Sequence, residues 1–497
     1  MSEQNLFVLE CLSPVHIGSG HALARDLDYC ADGNTTAILD WERLFSQTRA
    51  QSLPDWIADS FRRRDNSGRP RIIEFLQQCG IRPESVASRR VKGVIEASQL
   101  RLALRTFDDR PLIPGSSVKG ALRTLFIVGF AAHPQDPHSQ PNTLAQDALT
   151  EALTQSKVSP RFRARALESR LLREALSNGL VQTSSKLRGD PKGDLLRMVK
   201  VSDAFFPAEA IEVLSTKALG TNRETLTAVE ALKAGSRALL SVELCDPFLS
   251  AKLFAPPTWP TLQKLAQWSQ AHALHLVDAD RHFFERLRQP DNSSALDALI
   301  TRCDELKRKI QELGASKTPA LVLRLGWGTG WRTMTGDLLT PEEREQLFQE
   351  GGRISRYVGR GKTCKVVLEG HRRESAGSDL LGWVCIRHTH DSDEVVRLQK
   401  ASRPQIPPSA PSRQPTPPSR SPSPLPPPVD SLIRQIESLR ERDWGRVGAI
   451  VNRINQSDPL KKPMYIDKLE AHLNKVFGKS RKRDIQQMIS KLRQSPP

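Results

Sequence analysis

The triplet Gly361-Lys362-Thr363, inside RYVGRGKTCKVV (residues 356–367), has the ending of a phosphate-cradling loop. Such a loop also needs a glycine five residues earlier, between a strand and a helix. Arg356 holds that place, and Thr363 to Leu368 run β-branched and apolar without a helical stripe, so a strand follows. The stretch reads as a basic, glycine-bearing loop whose Arg356, Arg360 and Lys362 can track a phosphate backbone, not as a nucleoside triphosphate site.

Three other stretches carry binding chemistry. In PLIPGSSVKGALRTLF (111–126), Val118, Ala121, Leu122, Leu125 and Phe126 form one helical stripe, so a helix begins near Ser116 or Ser117. Its first amides, at Gly115, Ser116 and Ser117, suit an anion, with Lys119 and Arg123 one turn apart; an ordinary capped helix with solvated basic residues is the alternative. In LSPVHIGSGHALARDLDYCADG (12–33), Gly18 and Gly20 flank Ser19, so backbone can approach a ligand that His16 and His21 also reach; a plain turn is the competing reading. In LRLGWGTGWRTMTG (323–336), Trp327 and Trp331 beside Arg332 offer aromatic faces for unpaired RNA bases, against core packing of at least one tryptophan.

Catalytic sets are thin. Asp26 and Asp28, just past the glycine loop, are weak candidates for promoting attack on a phosphodiester, and Asp28 beside Tyr29 reads equally as the start of a strand. His272, His275, Asp278, Asp280 and His282 cluster on a helix without cysteine or a Glu-x-x-His pattern, which argues against a metal site. No metal or other cofactor is expected, save a divalent ion if the aspartates cut RNA.

The elements that position these residues alternate. Strand patterns cover 6–12, 35–39, 94–104, 198–201, 238–244, 320–325, 363–368 and 381–386, and helical patterns cover about 118–131, 144–155, 160–178, 261–289 and 295–313. Asp40 is placed as the N-cap of a helix through Phe45. The pattern is α+β with helical insertions at roughly 130–200 and 260–315. Between Ala401 and Asp430, twelve prolines make an extended spacer. Residues 431–497 hold 15 basic and 7 acidic side chains. Their apolar faces (Leu432, Ile433, Ile436, Leu439; Val447, Ile450, Val451, Ile454; Ile485, Met488, Ile489, Leu492), with Pro459 and Pro463 as breakers, predict a small basic helical domain.

At 497 residues with a net charge of +17, the chain exceeds one core and favours polyanionic partners. Seven scattered cysteines, never spaced Cys-x-x-Cys, fit a reducing compartment. The first residues, Met-Ser-Glu-Gln-Asn, show no leader pattern, and the longest apolar run, Leu125 to Ala132, falls far short of the roughly 20 residues of a membrane helix. A cytoplasmic protein with no membrane partner is expected.

Taken together, SPVHIGSG, DYCADGNTTAILDWERLF, PLIPGSSVKGALRTLF, VKVSDAFF, LRLGWGTGW and GRGKTCKVVLEG resemble the RAMP superfamily of CRISPR–Cas proteins. IPGSSVKGALR is highly specific for it, and LRLGWGTGW with a late glycine-rich loop is similar to the fifth subunit of type III-A (Csm) effector complexes. The resemblance spans most of residues 1–390. It implies a ferredoxin-like (RRM-like) core with inserted helices over 1–400, which the proline-rich linker at 401–430 and the all-α domain at 431–497, read from composition and periodicity, follow. It also implies a subunit that binds crRNA and caps the guide-bearing backbone near the guide 3′ end, supporting guide maturation and antiviral defence. Its partners would be crRNA, the other effector subunits and, indirectly, target RNA. RNA contacts then fall on His16, Gly18, Ser19, Gly20, Ser116, Ser117, Lys119, Arg123, Trp327, Arg332, Arg356, Arg360 and Lys362. A metal-dependent endoribonuclease cutting guide precursor or target is the alternative, because related backbone subunits cut with a loop aspartate near the place of Asp26 or Asp28. The spacer and basic tail lie outside the resemblance.

Overall fold

The computed structural model describes residues 6–48, 56, 71–132, 150, 196, 199–219, 226–244, 261–288, 293–333, 339, 342–343, 364–372, 374–401, 436, 439, 447, 450–451, 454 and 462–494. The chain separates into Met1–Gln405 and Ile406–Pro497.

The first unit mixes helices with sheets, an α+β arrangement. Its central sheet runs β13 (Ala320–Arg324), β16 (Trp383–His388), β1 (Leu6–Cys11), β12 (Arg237–Leu244), β8 (Val199–Val201), with every neighbour antiparallel. The strands are apolar on both faces because both are covered. Against one face, Leu9, Leu240, Leu323 and Ile386 pack on Val118, Leu122 and Phe126 of α3 (Gly115–Ala132) and on Trp268 of α4 (Leu262–Leu287). Against the other, Val322 and Trp383 meet Leu276, Val277 and Phe284 of α4 and Leu299, Cys303 and Leu306 of α5 (Ser293–Ala315). A Cβ on Gly129 would stand 2.1 Å from the Trp268 ring, so glycine sets how closely α3 and α4 approach.

A second sheet runs β15 (Gly377–Leu380), β14 (Val366–Leu368), β10 (Ile211–Lys217), β11 (Thr227–Leu232), β6 (Gln99–Ala103), β2 (Gly18–Ala24), parallel between β11 and β6. A three-stranded sheet, β3 (Tyr29–Asp32), β4 (Thr35–Leu39) and β5 (Ala87–Lys92), packs Tyr29 and Ile38 on Leu100 and Ala228 of the second sheet. Its far side is covered by α1 (Trp41–Gln47) and α2 (Ile72–Gln78), and β7 (Leu112–Ile113) pairs with β9 (Ala204–Phe205).

Asp40 caps α1 as expected, accepting from the Glu42 and Arg43 amides at 3.0 and 3.2 Å. The stretch read as a glycine loop after β1, with a plain turn as the competing reading, is instead strand β2 from Gly18, paired with β6 through an irregularity between Gly18 and Ala22. Its glycines hid the strand, because small residues give no apolar alternation. The strand expected over 94–104 is confined to Gln99–Ala103, since residues 93–98 serve the small sheet: Thr36 Oγ1 donates to the Gly93 carbonyl and accepts from the Ile95 amide. The helical pattern at 144–155, apart from residue 150, that at 160–178 and the spacer at 402–430 lie outside the described residues.

In the second unit, Ile436, Leu439, Val447, Ile450 and Ile454 share one apolar cluster with residues of α7 (Lys462–Gln494), and α6 (Ser392–Ala401) ends the first. Arg493 reaches Asp467 at 2.9 Å and Glu470 at 2.8 Å. A straight helix rising about 1.5 Å per residue would hold these ends far apart. The segment therefore does not run straight, and residues from both its halves, among them Leu473 and Ile485, share the cluster. Pro463, read as a breaker, sits in its first turn, where proline costs no hydrogen bond.

Candidate nucleic-acid interface

Strands β1 and β13 both run antiparallel to β16, so they are parallel to each other and their following loops emerge at one end of the sheet. Three main-chain bonds tie those loops to each other and to the segments entering β14 and β16. The Trp327 amide donates to the His16 carbonyl (2.9 Å), the Lys365 amide to the Gly328 carbonyl (2.7 Å), and the Gly382 amide to the Pro14 carbonyl (2.8 Å). Thr329 also bridges Cys364. The glycines of GWGTG are required: Gly326, Gly328 and Gly330 have φ of +92°, +85° and +92°, and a Cβ on Gly326 would lie 2.7 Å from the His16 carbonyl oxygen.

At this junction stands Trp327, half-buried. The His16 ring meets it edge-on with centroids 5.6 Å apart, the Arg101 guanidinium lies 5.0 Å from its centroid and the Lys365 ammonium 5.4 Å. Arg101 is exposed, whereas Lys365 is 8% exposed, and burial, with Arg101 nearby, pulls its pKa below the ordinary lysine value. The tryptophan ring thus already holds two cations. What the arrangement supports is a clamp that fixes a positive charge at the surface, rather than an open aromatic face.

His16 is fully buried, and burial lowers its pKa. As a neutral ring it donates from Nδ1 to the Glu230 carbonyl at 2.5 Å, which turns Nε2 toward the backbone of Gly18, where a Cβ would stand 3.2 Å away. The Glu230 carboxylate, 3% exposed, accepts from Arg89, from Arg105 (3.3 Å) and from the Ala103 amide (2.7 Å). His16 therefore shapes the loop from beneath rather than facing solvent. Ser19 Oγ donates to the Leu102 carbonyl at 3.2 Å and Gly20 has φ of +87° in open space.

Helix α3 begins at Gly115, slightly earlier than the stripe suggested, and a Cβ there would stand 2.0 Å from the Val201 carbonyl oxygen, so only glycine fits. The Gly115 amide donates to Asp203 Oδ1 (2.8 Å) and the Ser117 amide to the Pro114 carbonyl (2.9 Å). Two of the amides expected to face an anion are thus engaged within the chain. Ser116 is exposed, and Ser117, Lys119 and Arg123 are half-buried. Arg332 lies in the helical turn Trp331–Thr333 that follows the glycine loop. Arg356, Arg360 and Lys362 fall outside the described residues.

The two aspartates have structural partners. Asp26 occupies the left-handed region at φ +64° in the turn after β2, its amide donating to the Tyr29 carbonyl at 2.8 Å. Asp28 accepts from the Ala24 amide (2.7 Å) on one oxygen and from Trp41 Nε1 (3.0 Å) on the other. Among the described residues, no group of three His, Cys, Asp or Glu side chains could hold a metal ion.

Sequence reasoning missed Arg101. The signal was present in the alternation of Gln99 and Arg101, exposed, with Leu100, buried; what was absent was any sign that β6 lies beside the loop after β13.

A RAMP superfamily model matches residues 8–331, and the chain belongs to that superfamily. Within it, the chain resembles Csm5. The CRISPR system Cms protein Csm5 of Methanocaldococcus jannaschii is 25% identical over 126 residues, which is 24% of this chain and 30% of that protein. A chain of a cryo-EM structure of a Csm–crRNA–target RNA ternary complex of a type III-A CRISPR–Cas system superposes with a TM-score of 0.50 at 18% identity, covering 78% of this chain and 100% of the other. The crystal structure of T. onnurineus Csm5 gives 0.48 at 19% identity, over 76% and 99%. Among the described residues, no helix is long and apolar enough to cross a membrane.

Proposed function

We propose that this chain is a crRNA-binding structural subunit of a type III-A CRISPR effector, capping its backbone near the guide 3′ end and supporting guide maturation and antiviral defence. The observation that carries the RNA contact is the clamp of Arg101 and Lys365 on Trp327, where the loops after β1 and β13 meet the strand leading out of the basic loop. A surface arginine held this way neutralises phosphate without reading bases, which suits a guide whose sequence varies. The strand order β16–β1–β12–β8, with α3 and α4 between its strands in the chain, supports reading the sheet as a ferredoxin-like core. The basic tail then adds a tethered module whose local concentration the spacer sets.

The structural use of Asp26 and Asp28 favours binding over cleavage. The test is ultraviolet crosslinking of the complex purified from its native operon, with crosslinked peptides mapped by mass spectrometry. Peptides spanning residues 16–20, 101 or 327 should carry crRNA. An assembled complex in which no peptide of this chain does so overturns the reading. Replacing both aspartates by asparagine should leave cleavage by that complex unchanged; lost cleavage in a folded variant would restore the endoribonuclease reading.

A further inference from the structure

The hairpin tip between β6 and β7 serves neither the core nor the clamp. The Thr106 amide donates to the Arg110 carbonyl (2.9 Å) and the Asp109 amide to the Thr106 carbonyl (3.0 Å), and Asp109 has φ of +63°. This is a three-residue loop, a type I turn followed by a left-handed residue, a conformation that Asp tolerates well. Side chains fix it further. Thr106 Oγ1 donates to Asp108 and accepts from the Arg110 amide (3.1 Å), Arg110 pairs with Asp108 (2.7 Å), and Arg105 pairs with Asp109 (3.0 Å) and Glu230 (3.3 Å).

At the crest of this locked turn, Phe107 is 103% exposed. An apolar ring in a loose loop can fold back on its own protein, but this turn holds it away. A ring presented on a rigid support enters a pocket with little conformational loss, and single aromatic anchors of this kind dominate interface energetics.

The charge around the crest selects the partner. Asp109 is 77% exposed, whereas the cations that pair with the two aspartates, Arg105 and Arg110, are only 19% and 20% exposed. A phosphate strand approaching Phe107 would meet the carboxylate first, whereas an apolar protein pocket with hydrogen-bond donors at its rim would satisfy both groups.

We propose that Phe107 is an anchor inserted into an apolar pocket of a neighbouring protein subunit, with Asp109 meeting a donor on the rim. The proposal rests on the reading above that the chain works inside a multisubunit assembly. In complexes assembled from the full-length chain, its partner subunits and RNA, p-benzoylphenylalanine placed at position 107 should crosslink to protein on irradiation. Phe107→Ser should weaken incorporation at least about 30-fold, and Phe107→Leu by less than about fivefold. Both variants should keep the parent melting temperature, because Phe107 touches no core. Crosslinking to RNA instead, or a serine variant incorporated as well as the parent, overturns the anchor while leaving the subunit reading intact. A parent chain that enters no such assembly defeats both.

Discussion

If Trp327 serves to hold Arg101 at the surface, removing either residue should change the salt dependence of RNA binding, and not only the affinity at one salt concentration. Each phosphate contact on single-stranded RNA contributes about 0.7 to the slope of log affinity against log salt. Arg101→Gln should make that slope shallower by about 0.7, so its defect shrinks roughly 2.6-fold over a fourfold rise in salt. Trp327→Leu removes a cation–π contact at 5.0 Å, worth about 0.5–1 kcal/mol at an exposed site, and should cost roughly two- to fivefold in Kd with a shallower slope. A base stacked on Trp327 would give another signature: a loss of about 1–3 kcal/mol, up to roughly 150-fold, at unchanged slope. Fluorescence anisotropy with labelled single-stranded RNA across a sodium chloride series separates the two, with melting curves confirming that each variant is folded. The double variant should bind no worse than Arg101→Gln alone, because the ring acts through the arginine. A parent-like slope in Arg101→Gln, or a large loss at constant slope in Trp327→Leu, refutes the clamp.

Three further outcomes concern stability. Gly382→Ala should destabilise by about 2 kcal/mol or more, because residue 382 has φ of +90° and a Cβ would stand 2.3 Å from both the Leu325 carbonyl oxygen and Thr329 Cγ2; chemical denaturation measures it, and an unchanged midpoint would contradict the geometry. Asp280→Asn leaves Arg324 without the carboxylate it meets at 2.8 Å in a site where both side chains are 5% exposed or less, and should cost about 3–5 kcal/mol, read as a lower melting temperature. His16 and His371 both sit below the ordinary histidine value of 6.5, chiefly through burial. The unfolded chain therefore takes up protons first, and stability, full above about pH 6.5, is lost as pH falls below it. Denaturation across that range should show a shallower acid slope in His16→Gln; a slope identical to the parent's would remove His16 from the account.

The sequence by itself determined the elements whose patterns are local: the apolar stripe of α3, the Asp40 cap, and strands β1, β4 and β12. These follow from periodicity and capping, which act over a few residues. Strand β2 escaped, because Gly-Ser-Gly has no alternating side chains to mark a face. Only the tertiary structure decided what each motif does. Residues 16, 101, 327 and 365 are scattered along the chain, and nothing local states that β6 lies beside the loop after β13. Once they meet, burial makes His16 a neutral brace instead of a ligand, Trp327 engages cations instead of offering its face, and Asp28 is committed to an amide and an indole. Residue type says what a side chain can do, whereas burial and partners select which of those chemistries is left available.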